Sequence, residues 1–88
     1  MSVQQLKDID PRELGERLQY ARKVRGLTQQ SVADVLGVAR TTVTAIEKGE
    51  RRVQPAELTQ LASLYAKPVS ELLRGRSAAT GFAVQLRA

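Results

Sequence analysis

Glycine and proline cut this chain into helical stretches too short to stand alone. Gly26, Gly37 and Gly49 fall where apolar stripes end, and Pro11, Pro55 and Pro68 fall where new ones begin. The stripes between them run at helical spacing: Leu14, Leu18 and Ala21; Val32, Ala33 and Leu36; Val43 and Ile46; Leu58, Leu61, Ala62 and Tyr65. Isolated helices below about 12–15 residues are marginal in water. The pieces must therefore bury their stripes against one another, and no strand-like alternation competes. The pattern predicts an all-α domain of five short helices joined by tight turns.

The boundaries follow from capping chemistry. Asp10 is a candidate N-cap, with Pro11 at the first helical position and Glu13 three residues after the cap, so a first helix is expected from Pro11 to about Arg25. Thr28 caps a second from Gln29 to Leu36, and a third segment is expected from Val38 to Lys48, stopped by Gly49. Pro55 and Glu57 open a fourth, and Pro68 opens a last short helix through Leu73. The domain is thus expected over 10–73, with 1–9 as an N-terminal arm and 74–88 as linker and tail. The linker reads RGRSAAT; the tail GFAVQLRA is apolar and has to pack on the domain, on a second subunit, or as the start of a further domain.

Composition narrows the function. At 88 residues there is room for one small core. With no Cys and no His, disulfide scaffolds, Cys/His zinc sites, thiol nucleophiles and Ser-His triads are excluded. No cofactor is expected. The aromatics are Tyr20, Tyr65 and Phe82 alone, too few for base-stacking platforms. The balance of 14 Lys+Arg against 9 Asp+Glu gives a net charge of +5, which favours a polyanionic partner. No apolar run approaches a membrane span and no basic-then-apolar leader is visible, so a cytoplasmic, nucleoid-associated protein is expected. The carboxylates Glu13, Glu16, Glu47, Glu50 and Glu57 are scattered along helices and read as solvated surface.

The informative stretch is LTQQSVADVLGVARTTVTAIEKG, Leu27 to Gly49. Two short helices joined by a glycine turn form the arrangement of a helix-turn-helix unit. Ala33 is small where the helices cross, Gly37 permits the turn, and Val38, Val43 and Ile46 fix the second helix. Its other faces carry Arg40, Thr41, Thr42, Thr44 and Ala45. Arginine can bridge guanine O6 and N7, and threonine offers a hydroxyl and a methyl, a set suited to the major groove of DNA. Thr is a mediocre helix former, so three of them in one short helix point to a selected surface.

Together with the preceding LQYARKVRG and the following LTQLASLY and VSELL, this stretch resembles the Cro/C1-type (Xre-type) helix-turn-helix domain over Leu14 to Leu73. The resemblance implies a five-helix, lambda-repressor-like fold that inserts its third helix into the major groove, usually as a homodimer on a two-fold site. It implies a repressor-like transcriptional regulator. Carried over by position, Gln29 corresponds to a phosphate-binding residue opening the second helix. Arg40, Thr41, Thr42, Thr44 and Ala45 correspond to groove-facing positions, and Lys48, Arg51 and Arg52 to phosphate contacts after the third helix. Arg22 and Glu47 correspond to an internal ion pair. The chain departs from the family pattern at Ala39, which lacks a capping oxygen, at Ser31 in place of Glu, and at Ala66-Lys67 in place of Gly-Val.

An enzyme finds no support: no carboxylate pair or phosphate loop is present. The alternative is a protein-interaction module of the same fold, binding a toxin or bridging transcription proteins. A third version adds a downstream metallopeptidase-like sensor domain, since the tail resembles the segment preceding one. A bridging module need not keep Arg40 with basic residues at Lys48, Arg51 and Arg52.

Overall fold

The computed structural model describes residues 9–73. Their helices are α1 (Pro11–Val24), α2 (Gln29–Leu36), α3 (Arg40–Lys48), α4 (Pro55–Tyr65) and α5 (Val69–Leu73), with no strand among the described residues. The arm up to residue 8, the linker and the tail lie outside the described residues.

The helix ends behave as their residue types dictate. Asp10 Oδ1 accepts from the Arg12 N–H at 3.0 Å, fixing the start of α1. Thr28 Oγ1 accepts from the Ser31 N–H at 3.0 Å while Ser31 Oγ accepts from the Thr28 N–H at 3.1 Å. Ser31 thus completes a reciprocal capping box in place of the family's Glu. α1 to α4 each close on a paired hydrogen-bond motif around a left-handed residue, as in Val38 N–H to Ala33 O and Gly37 N–H to Asp34 O. Glycine fills that residue after α1, α2 and α3; after α4 it is Ala66, at φ 57.

Three boundaries move. α1 ends at Val24, and α5 starts at Val69 rather than Pro68. α3 starts at Arg40 rather than Val38, because the Val38 N–H is used to close α2 and its side chain packs against the core. Ala39 stands at the N-cap with no side-chain bond. The domain also reaches beyond its expected edge: Ile9, assigned to the arm, is buried in the core.

Tyr65, Leu18, Leu58 and Val32 are the largest fully buried side chains, joined by Leu14, Ala21, Ala33, Val43, Ile46, Leu61 and Ala62. Leu36, expected in the core, is only partly buried against it. Val53, inside the basic loop, is buried and pins that loop to the domain.

α1 and α3 approach at backbone distance. A Cβ at Gly15 would stand 2.5 Å from the carbonyl oxygens of both Ile46 and Glu47, and one at Gly49 would stand 2.5 Å from Arg12 Cα. Gly49 is doubly constrained, since its φ is 78°. The first turns of α1 therefore rest on the last turn of α3. That puts the positive end of one helix dipole against the negative end of the other.

Candidate nucleic-acid interface

Val43, Ile46 and Glu47 form the buried side of α3. At 100° per residue the opposite side is the i, i+4, i+7 line of Thr41, Ala45 and Lys48. Thr41 and Lys48 are exposed and Ala45 is partly buried, while Thr44 and Thr42 flank that line half-buried. Arg40 is exposed at the first helical position. Thr41, Thr42, Thr44 and Ala45 thus occupy the outward arc of one nine-residue helix, while Arg40 is exposed at its first position, on the Glu47 side.

The orientation of that arc is fixed by a buried ion pair. Arg22 Nε donates to Glu47 Oε2 at 2.6 Å and Nη2 donates to Oε1 at 3.1 Å. Arg22 Nη1 also donates to the Leu27 carbonyl at 2.9 Å, tying in the turn before α2. Hydrogen bonding to Glu47 raises the Arg22 pKa against the opposing cost of burial. Glu47 is therefore not the solvated carboxylate expected from its spacing; only its role in the implied pair holds. Such a pair stabilises little relative to an apolar substitute, yet breaking it strands a buried charge.

Gln29 belongs to the same network. Its Nε2 donates to Glu47 Oε1 at 2.9 Å, and its Oε1 accepts from Thr44 Oγ1 at 3.0 Å. The start of α2 is thereby stitched to Thr44, on the flank of the outward arc of α3. The Gln29 and Gln30 N–H groups stand in the first turn of α2, where no intrahelical carbonyl is available.

The basic loop divides. Arg51 Nη1 and Nη2 donate to Glu57 Oε1 and Oε2 at 2.9 and 3.0 Å, and Nη1 also donates to the Arg52 carbonyl at 3.1 Å. Glu57, expected as solvated surface, instead accepts this fork and the Gln54 N–H at 2.9 Å. The Arg51 hydrogen bonds, opposed by partial burial and aided by the Gln54 N–H, lower its pKa. Arg40, Lys48 and Arg52 are exposed and stand outside the salt bridges of the described residues. Gly15, Val53 and the Arg51–Glu57 fork escaped the sequence reading. Gly15 sits mid-helix without a turn to explain it, and that oddity was the available signal.

Among the described residues there is no His/Cys/Asp/Glu group able to hold a metal and no helix long and apolar enough to cross a membrane. Comparison with known proteins bears out the resemblance. The helix-turn-helix family model matches residues 18–72. An uncharacterised HTH-type transcriptional regulator of Bacillus subtilis, YqaE, is 37% identical over 62 residues, covering 70% of this chain and 53% of that protein. The chain spans about half the length of the curated relatives it matches. Its fold is similar to the restriction-modification controller protein C.AhdI of Aeromonas hydrophila, with TM-score 0.66 and 32% identity over 72% of this chain and 96% of that one. It is also similar to the DNA-binding domain of BldD from S. venezulae, with TM-score 0.64 and 31% identity over 74% and 97%.

Proposed function

Because the chain belongs to the Cro/C1-type helix-turn-helix family, we propose that it regulates transcription by binding double-stranded DNA with α3 in the major groove. One observation carries this reading: a helix locked by a buried ion pair presents a polar, methyl-bearing arc led by an exposed arginine, flanked by exposed Lys48 and Arg52. Arg40 and Thr41 stand at the N-terminal end of α3, which reaches base edges in this docking mode. Arg40 takes a guanine through O6 and N7; Thr41, Thr42, Thr44 and Ala45 contribute hydroxyl and methyl contacts along the arc.

Lys48 and Arg52 hold phosphates directly. Gln29 does so through its second Nε2 hydrogen and its main-chain N–H, the first being given to Glu47. Arg51, with its fork on Glu57, contributes chiefly by holding the loop and offers only its remaining donors to a phosphate. One helix reads few base pairs, so two copies bind half-sites about 34 Å apart. Two regions are candidates for the contact between copies: the tail from Phe82 to Leu86, which lies outside the described residues, and the fifth-helix region around Leu72 and Leu73, where Leu72 is buried in the protein's own core. Leu64, Val69 and Leu73, partly buried there, remain available to the homodimer. Occupying an operator excludes other proteins from the same groove, which makes repression in the cytoplasm the direct outcome.

The test is a duplex shift against salt, followed by binding-site selection. The unaltered protein should bind with a steep salt dependence. Arg40→Ala should relax preference at one base pair per half-site, worth about 1–3 kcal/mol, and leave random-sequence affinity nearly unchanged. Recovery of the same consensus by Arg40→Ala would refute the base contact. Absence of any salt-sensitive duplex binding would favour the protein-interaction alternative.

A further inference from the structure

The hydrogen bonds behind α3 have a direction, and it ends on the groove-facing arc. Arg22 can only donate, and the Glu47 carboxylate paired with it only accepts. Gln29 must therefore turn its amide nitrogen towards Glu47, as it does at 2.9 Å. That leaves the Gln29 carbonyl oxygen facing Thr44, where only a donor is welcome. The single hydroxyl hydrogen of Thr44 has two acceptors in reach, Gln29 Oε1 at 3.0 Å and the Arg40 carbonyl at 3.2 Å. Either way that hydrogen is spent inside the protein.

We propose that the Arg22–Glu47–Gln29 chain fixes Thr44 as an acceptor-only contact, so that Thr44 selects an exocyclic amino group in the major groove. The inference rests on the DNA-binding reading above and names what one residue of that site takes. Phosphates carry no donor, so Thr44 gains nothing from the DNA backbone. In the major groove the donors are adenine N6 and cytosine N4, whereas guanine and thymine present acceptors there. Thr44 therefore favours adenine or cytosine over guanine or thymine at the base it faces. Gln29 is a positioning residue in this role: it sets the proton on Thr44 without touching the base.

The experiment compares binding-site selections by the unaltered protein, Thr44→Val, Thr44→Ser and Gln29→Leu. Thr44→Val keeps the shape and removes the hydroxyl; the base pair whose preference it alters identifies the contact. The unaltered protein and Thr44→Ser should prefer the amino-bearing base there by roughly three- to tenfold, the range of a single net hydrogen bond. Thr44→Val should lose the preference. Gln29→Leu leaves the hydroxyl only the longer bond to the Arg40 carbonyl and frees it to rotate part of the time, so the preference should weaken while the Arg40-dependent position stays intact. Full retention by Gln29→Leu, or a preference for guanine or thymine in the unaltered protein, overturns the proposal. If Thr44→Val leaves every position unchanged, Thr44 reads no base and the proposal is equally overturned. A proton spectrum of the free protein gives a readout that needs neither DNA nor a variant that folds. The Thr44 hydroxyl proton should exchange slowly and lie close to the Gln29 side chain, and a fast-exchanging hydroxyl overturns the relay. A protein that binds no duplex at low salt removes the DNA-binding reading instead, and this contact with it, even where the hydroxyl proton is protected.

Discussion

Replacing Gly15 with alanine sets two magnitudes of opposite sign against each other. By helix propensity alone the change stabilises, since glycine inside a helix costs about 0.8–1 kcal/mol relative to alanine. Packing opposes it. The new Cβ would lie 2.5 Å from the Ile46 and Glu47 carbonyl oxygens and 2.8 Å from the Glu47 carbonyl carbon. None of these is the end of a flexible side chain, so α1 would have to withdraw from α3 by roughly 1 Å, losing contacts along the whole seam. Overpacking of this kind costs about 1–3 kcal/mol, and rigid backbone obstacles place it at the upper end. The net expectation is a loss of about 2 kcal/mol. At about 4–8 °C per kcal/mol for a domain this small, thermal unfolding followed by circular dichroism should show a midpoint lowered by about 8–16 °C. Because the obstructed atoms belong to the last turn of α3, sequence preference should loosen as well. A variant melting at or above the unaltered protein would show that propensity wins and that the close approach carries no energy.

Ala66 is the converse case: at φ 57 it closes α4 in a left-handed conformation, so Ala66→Gly should raise stability by about 0.5–1 kcal/mol after the entropy of a freer unfolded chain is deducted, read as a higher melting midpoint. Arg22→Ala strands Glu47 and should cost about 3–5 kcal/mol, whereas replacing Arg22 and Glu47 together by Met and Leu should cost far less; equal losses in denaturant titrations would mean the charge is not the cause. Burial, with a smaller contribution from the Glu47 charge and against that of Arg22, pushes the Tyr65 hydroxyl up to about 12. Its contribution is therefore intact below pH 10 and fades as pH rises towards 12, by about 1.4 kcal/mol per unit. Tyr65→Phe should flatten that alkaline limb, and an unchanged limb in pH-dependent melts would refute the assignment.

Much of the fold was legible because helix punctuation is local. A cap, a proline at the first position and a glycine after the last turn each act over a few residues, and the boundaries they marked lie within two residues of those observed. What stayed hidden was non-local. Nothing around Val53 distinguishes a buried valine from an exposed one in a polar loop, and only the fold brings it to the core. Gly15 carries no turn signal because its constraint comes from the end of another helix. Ser31, a departure from the family pattern, performs the same capping through a shorter side chain.

The same distinction governs the candidate interface. Residue type marks a side chain able to meet DNA, but not whether the fold has already engaged it. Gln29 and Arg51 both carry donors suited to phosphate, and the structure gives each a carboxylate inside the protein, Glu47 and Glu57. Arg40, Lys48 and Arg52 have no such partner among the described residues. A solvated cation freed to meet a phosphate releases counterions, whereas one already paired exchanges one anion for another. The unpaired charge that this surface would offer a phosphate is therefore concentrated on fewer residues than its basic composition implies. Arg52→Ala should flatten the salt dependence of DNA binding by nearly one phosphate, while Arg51→Ala should act mainly by loosening the loop that holds Arg52 in place. If the two substitutions flattened the salt slope equally, the fork on Glu57 would not survive contact with DNA.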